Sequence, residues 1–150
     1  MRILLDTNIL VHAHNRASPH QHRAAEVLRR ALRRDIEASV SPQVIYEFYA
    51  VITDPRRVEN PLSAQEAADI CLDIWESREL EKVNPTPMAP REVFAHATEL
   101  ELNGGAIFDC VLAVTAKENG VEAVYTENTG DFEGYSFLKV FNPLTDATSR

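Results

Sequence analysis

A chain of 150 residues is long enough to bury a core and points to one domain. Its hydrophobic share of 45% is that of an ordinary globular protein, and no apolar run approaches membrane-spanning length. The formal net charge of −8 is divided unevenly: residues 1–34 hold seven arginines against Asp6 and Glu26, for +5, and the rest sums to −13. An acidic body argues against a general nucleic-acid-binding surface but leaves room for a local basic strip, or for cations held at an acidic centre. Cys71 and Cys110 suit reduced thiols better than a disulfide scaffold. The N-terminus lacks a signal-peptide pattern because Asp6 interrupts it, so the cytoplasm is the expected compartment.

Ile3-Leu4-Leu5 reads as a buried strand with no polar face, and Asp6 falls at its carboxyl end. A short helix is expected over 8–15. Ser18-Pro19 carries an N-cap and first-position signal for a longer helix. Ala24, Val27, Leu28, Ala31 and Leu32 form its apolar stripe, with Arg23, Arg30 and Arg34 opposite. Ala38-Ser39-Val40 is a short strand. Ser41-Pro42 starts a helix running to about Thr53, where Asp54-Pro55 ends it. Helices are expected at about 64–78 and 90–102, with a weak strand at 81–83 between them. Asn103-Gly104-Gly105 breaks the second of these. Residues 106–119 form a buried helix closed by Gly120. Ala123-Val124-Tyr125 and 138–141 are the last strands.

Strands separated by helices imply a parallel sheet with right-handed crossovers. The expected architecture is α/β: a three-layer α/β/α sandwich around four or five parallel strands, with one domain at 1–143 and a tail at 144–150.

Four carboxylates sit where burial rules disfavour them. Asp6 ends an apolar strand, at the edge where ligands bind in open α/β sheets. Glu47 lies about 40° from Val51 and about 60° from Val44 on a helical wheel, bordering the buried side. Asp109 shares a face with Ala106, Leu112, Ala113 and Ala116. Asp131 follows the Ala123–Tyr125 strand. Each has a plain reading by itself: Asp109 as an acid in the first turn of its helix, Glu47 as a solvent-facing edge residue, Asp131 as a turn residue. Together they call for a shared partner, since a buried carboxylate needs a counter-charge or a proton. Oxygen ligands without bases suit Mg²⁺ or Mn²⁺, and no Cys/His pair has zinc-site spacing.

Leu4-Leu5-Asp6-Thr7-Asn8, the stretch Ser41 to Val51 around Glu47, Gly105-Ala106-Ile107-Phe108-Asp109, and Tyr125-Thr126-Glu127-Asn128-Thr129-Gly130-Asp131-Phe132 stand in an order and spacing that resembles the PIN-domain ribonucleases, and among them the VapC-type toxins of toxin–antitoxin pairs. The resemblance spans Met1 to about Pro143. It implies metal-binding, catalytic acids at Asp6, Glu47, Asp109 and Asp131, and supporting polar residues at Thr7, Asn8, Thr126 and Asn128. Glu127 and Glu133 flank the fourth motif, and Asp131 either binds metal directly or acts through a water. The implied activity is Mg²⁺- or Mn²⁺-dependent hydrolysis of RNA phosphodiesters. The implied partners are an RNA substrate, a small antitoxin docking on the N-terminal helices, and a second copy of the chain in a homodimer.

The arginine face (Arg23, Arg30, Arg34) is a candidate RNA contact or else a solvated helix face. His12, His14, His20 and His22 read as surface residues without a role. Tyr46, Phe48, Tyr49 and Trp75 read as core or interface aromatics. The rival readings are a DNA- or structure-specific nuclease and a non-catalytic PIN-like binding module, which would be expected to have lost acids. A haloacid-dehalogenase-type phosphatase would want a second acid where Asn8 stands, and a receiver domain fits poorly.

Overall fold

In a computed structural model describing residues 1–145, five strands form one parallel sheet in the order β3-β2-β1-β4-β5. The strands are β1 (Arg2–Leu5), β2 (Glu37–Val40), β3 (Glu81–Lys82), β4 (Ala123–Tyr125) and β5 (Lys139–Phe141). The helices are α1 (Thr7–His14), α2 (Gln21–Leu32), α3 (Pro42–Ile52), α4 (Ala64–Trp75), α5 (Ala89–Glu99) and α6 (Ala106–Glu118). The expected sandwich and the upper of the two expected strand counts are present. The expected tail begins with Leu144, which is buried, and Thr145; its remainder, 146–150, lies outside the described residues.

The sheet is apolar because both its faces are covered. Ile3, Leu4, Leu5, Val40, Val124 and Tyr125 are all buried. Along the first half of the chain α1 packs on α2 and α3, and α3 on α4, while α5 packs on α6. Right-handed crossovers from β1 through β3 and back to β4 put α1–α4 on one face and α5–α6 on the other. The chain direction reverses its march across the sheet between β1 and β4. In open α/β sheets the crevice at such a point, beyond the carboxyl ends of the strands, is where ligands bind. Neither cysteine forms a disulfide, and among the described residues no helix is long and apolar enough to cross a membrane.

Helix ends follow local chemistry. Ser41 caps α3, its hydroxyl accepting from the Val44 amide at 3.3 Å, and Ser63 and Glu66 form a capping box on α4. Gly120, in the left-handed region at φ 69°, closes α6 as expected.

Some boundaries differ from expectation. Ser18-Pro19 does not open α2: the Ser18 hydroxyl accepts from the His20 amide at 3.0 Å in a turn, and the helix begins at Gln21. Arg34 does not extend the arginine face. It stands beyond the helix at φ 61°, where Asp35 N–H to the Arg30 carbonyl (2.9 Å) and Arg34 N–H to the Ala31 carbonyl (3.0 Å) complete a Schellman motif. The α5 helix stops at Glu99, before the Asn103-Gly104-Gly105 breaker, through the same motif built on Glu101 at φ 52°. The α4 helix stops at Trp75, three residues short of Arg78.

Because the cap hydroxyl of Ser41 is buried, Ser41→Ala leaves the Val44 amide unsatisfied. The expected loss is about 1–2 kcal/mol. In urea titrations it appears as a lower midpoint at constant m. An unchanged midpoint would remove the cap from the account of how α3 is set.

Candidate active site

The four acids come from four separate segments and meet at one rim of the sheet. Asp6 leaves the end of β1 and caps α1. Glu47 lies in the middle of α3, Asp109 in the first turn of α6, and Asp131 in a 3₁₀ turn at Thr129–Phe132 after β4. Phe132, fully buried, anchors that turn beside α6. Asp6 is buried at 6% exposure, Glu47 and Asp109 are partly buried, and Asp131 is exposed.

Asp6 is held by donors from two sides of the β1–β4 crevice. Its Oδ1 accepts from the Thr7 amide at 2.7 Å. Its Oδ2 accepts from the Thr126 hydroxyl at 2.7 Å and from the Asn8 side-chain amide at 3.2 Å. The Thr126 hydroxyl also accepts from the Asn128 amide at 3.0 Å, which turns the chain after β4. Asn8 reaches the same loop by accepting from the Glu127 amide at 2.9 Å. The four polar residues expected to support the acids thus divide. Thr7, Asn8 and Thr126 bond Asp6 directly, while Asn128 contributes its backbone.

Burial pushes the Asp6 carboxyl above the usual range, against the lowering effect of Thr126 and Thr7, and nearby Glu47 adds to the rise. Asp109 is pushed up to about 6, first by burial and then by the charges of Asp131, Asp6 and Glu47. That list of charges is the electrostatic signature of convergence: Asp109 feels all three other acids.

Glu47 is oriented by the Thr7 hydroxyl at 2.9 Å and by the Gln43 side-chain amide at 2.8 Å. Gln43 also donates to the Phe108 carbonyl at 3.1 Å, joining α3 to the first turn of α6 across the rim. Sequence reading passed over Gln43; its signal is the i,i+4 spacing to Glu47, at which an amide and a carboxylate meet on a helix. Of the aromatics expected in the core or at an interface, Tyr46 and Tyr49 are not core residues. Phe48 is in the core, but Tyr46 is 73% exposed and Tyr49 37%. Tyr46, with exposed Phe108, lines an open hollow beside Glu47 and Gln43.

The arginines spread apart. Arg23 is exposed one turn into α2, and Arg30 is half-buried close enough to Tyr125 to act on its hydroxyl. Arg34 sits by the start of β2, at the opposite end of the sheet from the acids, donating to the Arg78 carbonyl at 3.5 Å.

The donor set consists of carboxylate oxygens, with no lysine or arginine ion-paired to any of the four among the described residues. It fits a hard, oxygen-seeking divalent ion in kind. Among the described residues, no three His, Cys, Asp or Glu side chains stand in ready-made ligand geometry. The oxygens of Asp6 and Glu47 are taken up by neighbouring hydroxyls and amides instead. An ion that keeps several of its waters suits so open a set, as Mg²⁺ does.

Fold and site define a class: a three-layer α/β/α protein whose acids gather beyond the carboxyl ends of β1 and β4. The chain belongs to the PIN-domain family, whose pattern matches residues 3–138. It is 32% identical to Ribonuclease VapC24 of Mycobacterium tuberculosis over 142 residues, 94% of this chain and 96% of that protein. Solved structures share the fold. Mycobacterium tuberculosis VapC20, described as a Sarcin-Ricin loop cleaving toxin, matches at TM-score 0.66 and 14% identity, over 90% of this chain and 97% of that one. A chain of VapBC2 from Rickettsia felis, solved with promoter DNA, matches at 0.62 and 23%, over 95% and 98%.

The raised Asp109 carboxyl, set by burial and by the neighbouring acids, has a measurable sign. Asp109 keeps its proton up to about pH 6 in the folded chain, against an ordinary 3.8. The native state therefore loses stability as pH rises between these values and carries the full penalty above the higher one. Asp109→Asn is free of that penalty. In EDTA it should melt above wild type at about pH 7.5, and the gap should close by about pH 3.5. A gap of opposite sign, or one indifferent to pH, contradicts the raised Asp109 carboxyl.

Proposed function

We propose that this protein is a metal-dependent endoribonuclease, the toxin of a toxin–antitoxin pair, acting in the cytoplasm. The observation that carries the reading is the convergence of four acids at one rim, where burial and then the charges of Asp131, Asp6 and Glu47 raise the Asp109 carboxyl and where, among the described residues, no lysine or arginine is ion-paired to any of the four. An acidic centre of this kind repels RNA unless a cation fills it. The relative named a ribonuclease, similar along nearly the whole chain, supports RNA as the substrate.

Asp6 and Asp109 are the inner metal-binding carboxylates in this reading, with Glu47 and Asp131 completing or orienting the set. Bound Mg²⁺ or Mn²⁺ supplies neutralising charge to the scissile phosphate and lowers the pKa of a bound water. Thr126, Thr7 and Asn8 keep Asp6 in one orientation, so that little reorganisation is needed when the phosphate arrives. Gln43 and Thr7 do the same for Glu47. Arg23, exposed on α2, is the basic residue offered to a phosphate in this reading, and Arg30 stands about two turns along the same helix.

The partner is a small antitoxin, a reading supported by the similar fold of toxin chains solved in complexes such as VapBC2. A mostly apolar furrow where α1, α2 and α4 meet, lined by Leu28, Leu32, Ile70 and Ile74 together with His14 and Asp73, offers it a surface on these helices. The chain also forms a homodimer; Met88 and Phe94, at 66% and 63% exposure, offer uncovered apolar surface at α5.

Purified protein should cleave total RNA in Mg²⁺ or Mn²⁺, lose the activity in EDTA, and show a higher melting temperature with the ion. In Asp6→Asn both the cleavage and the thermal shift should vanish, with a rate loss of at least about 100-fold. Full cleavage by this variant would sink the assignment. Charge reversal at Arg23 and Arg30 should weaken RNA binding and flatten its salt dependence. An unchanged salt slope would leave that face a solvated one.

A further inference from the structure

Glu127 is a fifth acid at the same rim, next in sequence to Thr126, yet it does not join the other four. Its carboxylate points toward two histidines on the N-terminal helices. Oε2 lies 2.8 Å from His12 Nε2 and Oε1 lies 3.9 Å from His20 Nε2. The two imidazoles meet edge to face at 5.2 Å. His12 is mostly buried, at 18% side-chain exposure. Its other nitrogen, Nδ1, is 2.6 Å from the Ser18 hydroxyl, which accepts from the His20 amide at 3.0 Å.

The directions of these bonds are fixed by chemistry. A carboxylate only accepts, so in the neutral ring Nε2 carries the hydrogen and Nδ1 accepts from Ser18. Every group in the chain His20 N–H, Ser18 O–H, His12, Glu127 is then satisfied. The backbone of Glu127 is tied separately, its amide donating to Asn8 Oδ1 at 2.9 Å. Asn8 in turn donates to Asp6 Oδ2 at 3.2 Å. Side chain and backbone of Glu127 are thus both held by α1, through His12 and Asn8 one turn apart, and the segment from Glu127 to Phe132 carries Asp131.

A free carboxylate at this position would compete for the same ion as Asp6 and Asp109. Once released, it would also be free to turn its negative charge toward a rim that is already acidic. We propose that His12 is a positioning residue of the nuclease centre: by binding Glu127 it keeps this fifth acid out of the metal-binding set and holds the 126–131 segment so that Asp131 faces Asp109. The inference rests on the nuclease reading above. His12 touches neither substrate nor metal in it; it acts through Glu127.

Three variants and two readouts test it. Mn²⁺ binding is measured by titration calorimetry on RNA-free protein, and kcat and KM by RNA cleavage. In His12→Ala the released Glu127 should tighten Mn²⁺ binding severalfold while kcat falls about tenfold at unchanged KM. Loosened folding cannot produce that pairing, because it weakens both. In His12→Gln, whose amide can still donate to Glu127, both should return to within about twofold of wild type. In the double variant His12→Ala/Glu127→Gln the Mn²⁺ affinity should return to the wild-type value. Wild-type affinity and kcat in His12→Ala overturn the proposal. So does a joint loss that follows the melting temperature and is not rescued by glutamine, or a double variant that binds Mn²⁺ as His12→Ala does. If wild type cleaves no RNA with either ion, the nuclease reading fails instead, and the Mn²⁺ titrations still report on His12.

Discussion

Everything at the rim depends on keeping one nearly dry carboxylate at the end of β1. Asp6 is charged only if its lost hydration is replaced, and the replacement comes from the Thr7 amide, the Asn8 side chain and the Thr126 hydroxyl. Those donors lie on two strand ends that are neighbours in the sheet but 120 residues apart in the chain. The requirement to solvate Asp6 therefore fastens the β4 loop to the start of α1. Through Thr7 it also reaches Glu47, and through Asn8 it reaches Glu127. Desolvation, met by fixed dipoles, is what converts a strand end into a preorganised centre.

The same arrangement opposes stability. Burial and then the charges of the three other acids raise Asp109, and each step of convergence that would improve ion binding makes the ion-free chain less stable. The fold resists this with apolar burial around the site rather than with counter-charges. Phe132 anchors the Asp131 turn, Val44 and Phe48 seat α3, and Leu112 and Ala113 seat α6. Each acid is carried on an element whose other face is in the core, so repulsion at the rim has to work against hydrophobic packing.

Sequence reading recovered the order of nearly all elements, because a fully buried parallel strand and an amphipathic helix have different periods. Its errors lie where local signals compete. Ser18-Pro19 carries a helix-start pattern, but Ser18 is engaged by His12 and the His20 amide, and the helix starts later. Arg34 and Glu101 close helices in left-handed conformations that composition assigns to glycine, so both ends were placed too far along. Asp6, Glu47 and Asp109 were legible because a carboxylate inside or at the end of an apolar run breaks a burial rule, whereas exposed Asp131 stood out only through the family resemblance of its segment. Gln43, Ser18, His12 and Glu127 break none, and the contacts that tie Gln43 to Phe108 and His12 to Glu127 are remote in sequence.

By itself, then, the sequence determined the α/β alternation, the parallel sheet and which acids are anomalous, since each follows from local hydrophobic period and from the cost of burying charge. Only the tertiary structure decided what those acids and their neighbours meet: that the β1–β4 reversal brings Asp6 and Thr126 together, that Gln43 spans α3 and α6, and that Glu127 faces His12 instead of the centre. These are contacts between segments with no local signal for one another. Their geometry is set by the order of strands in the sheet and the packing of helices against it, and no single stretch of the chain encodes that order.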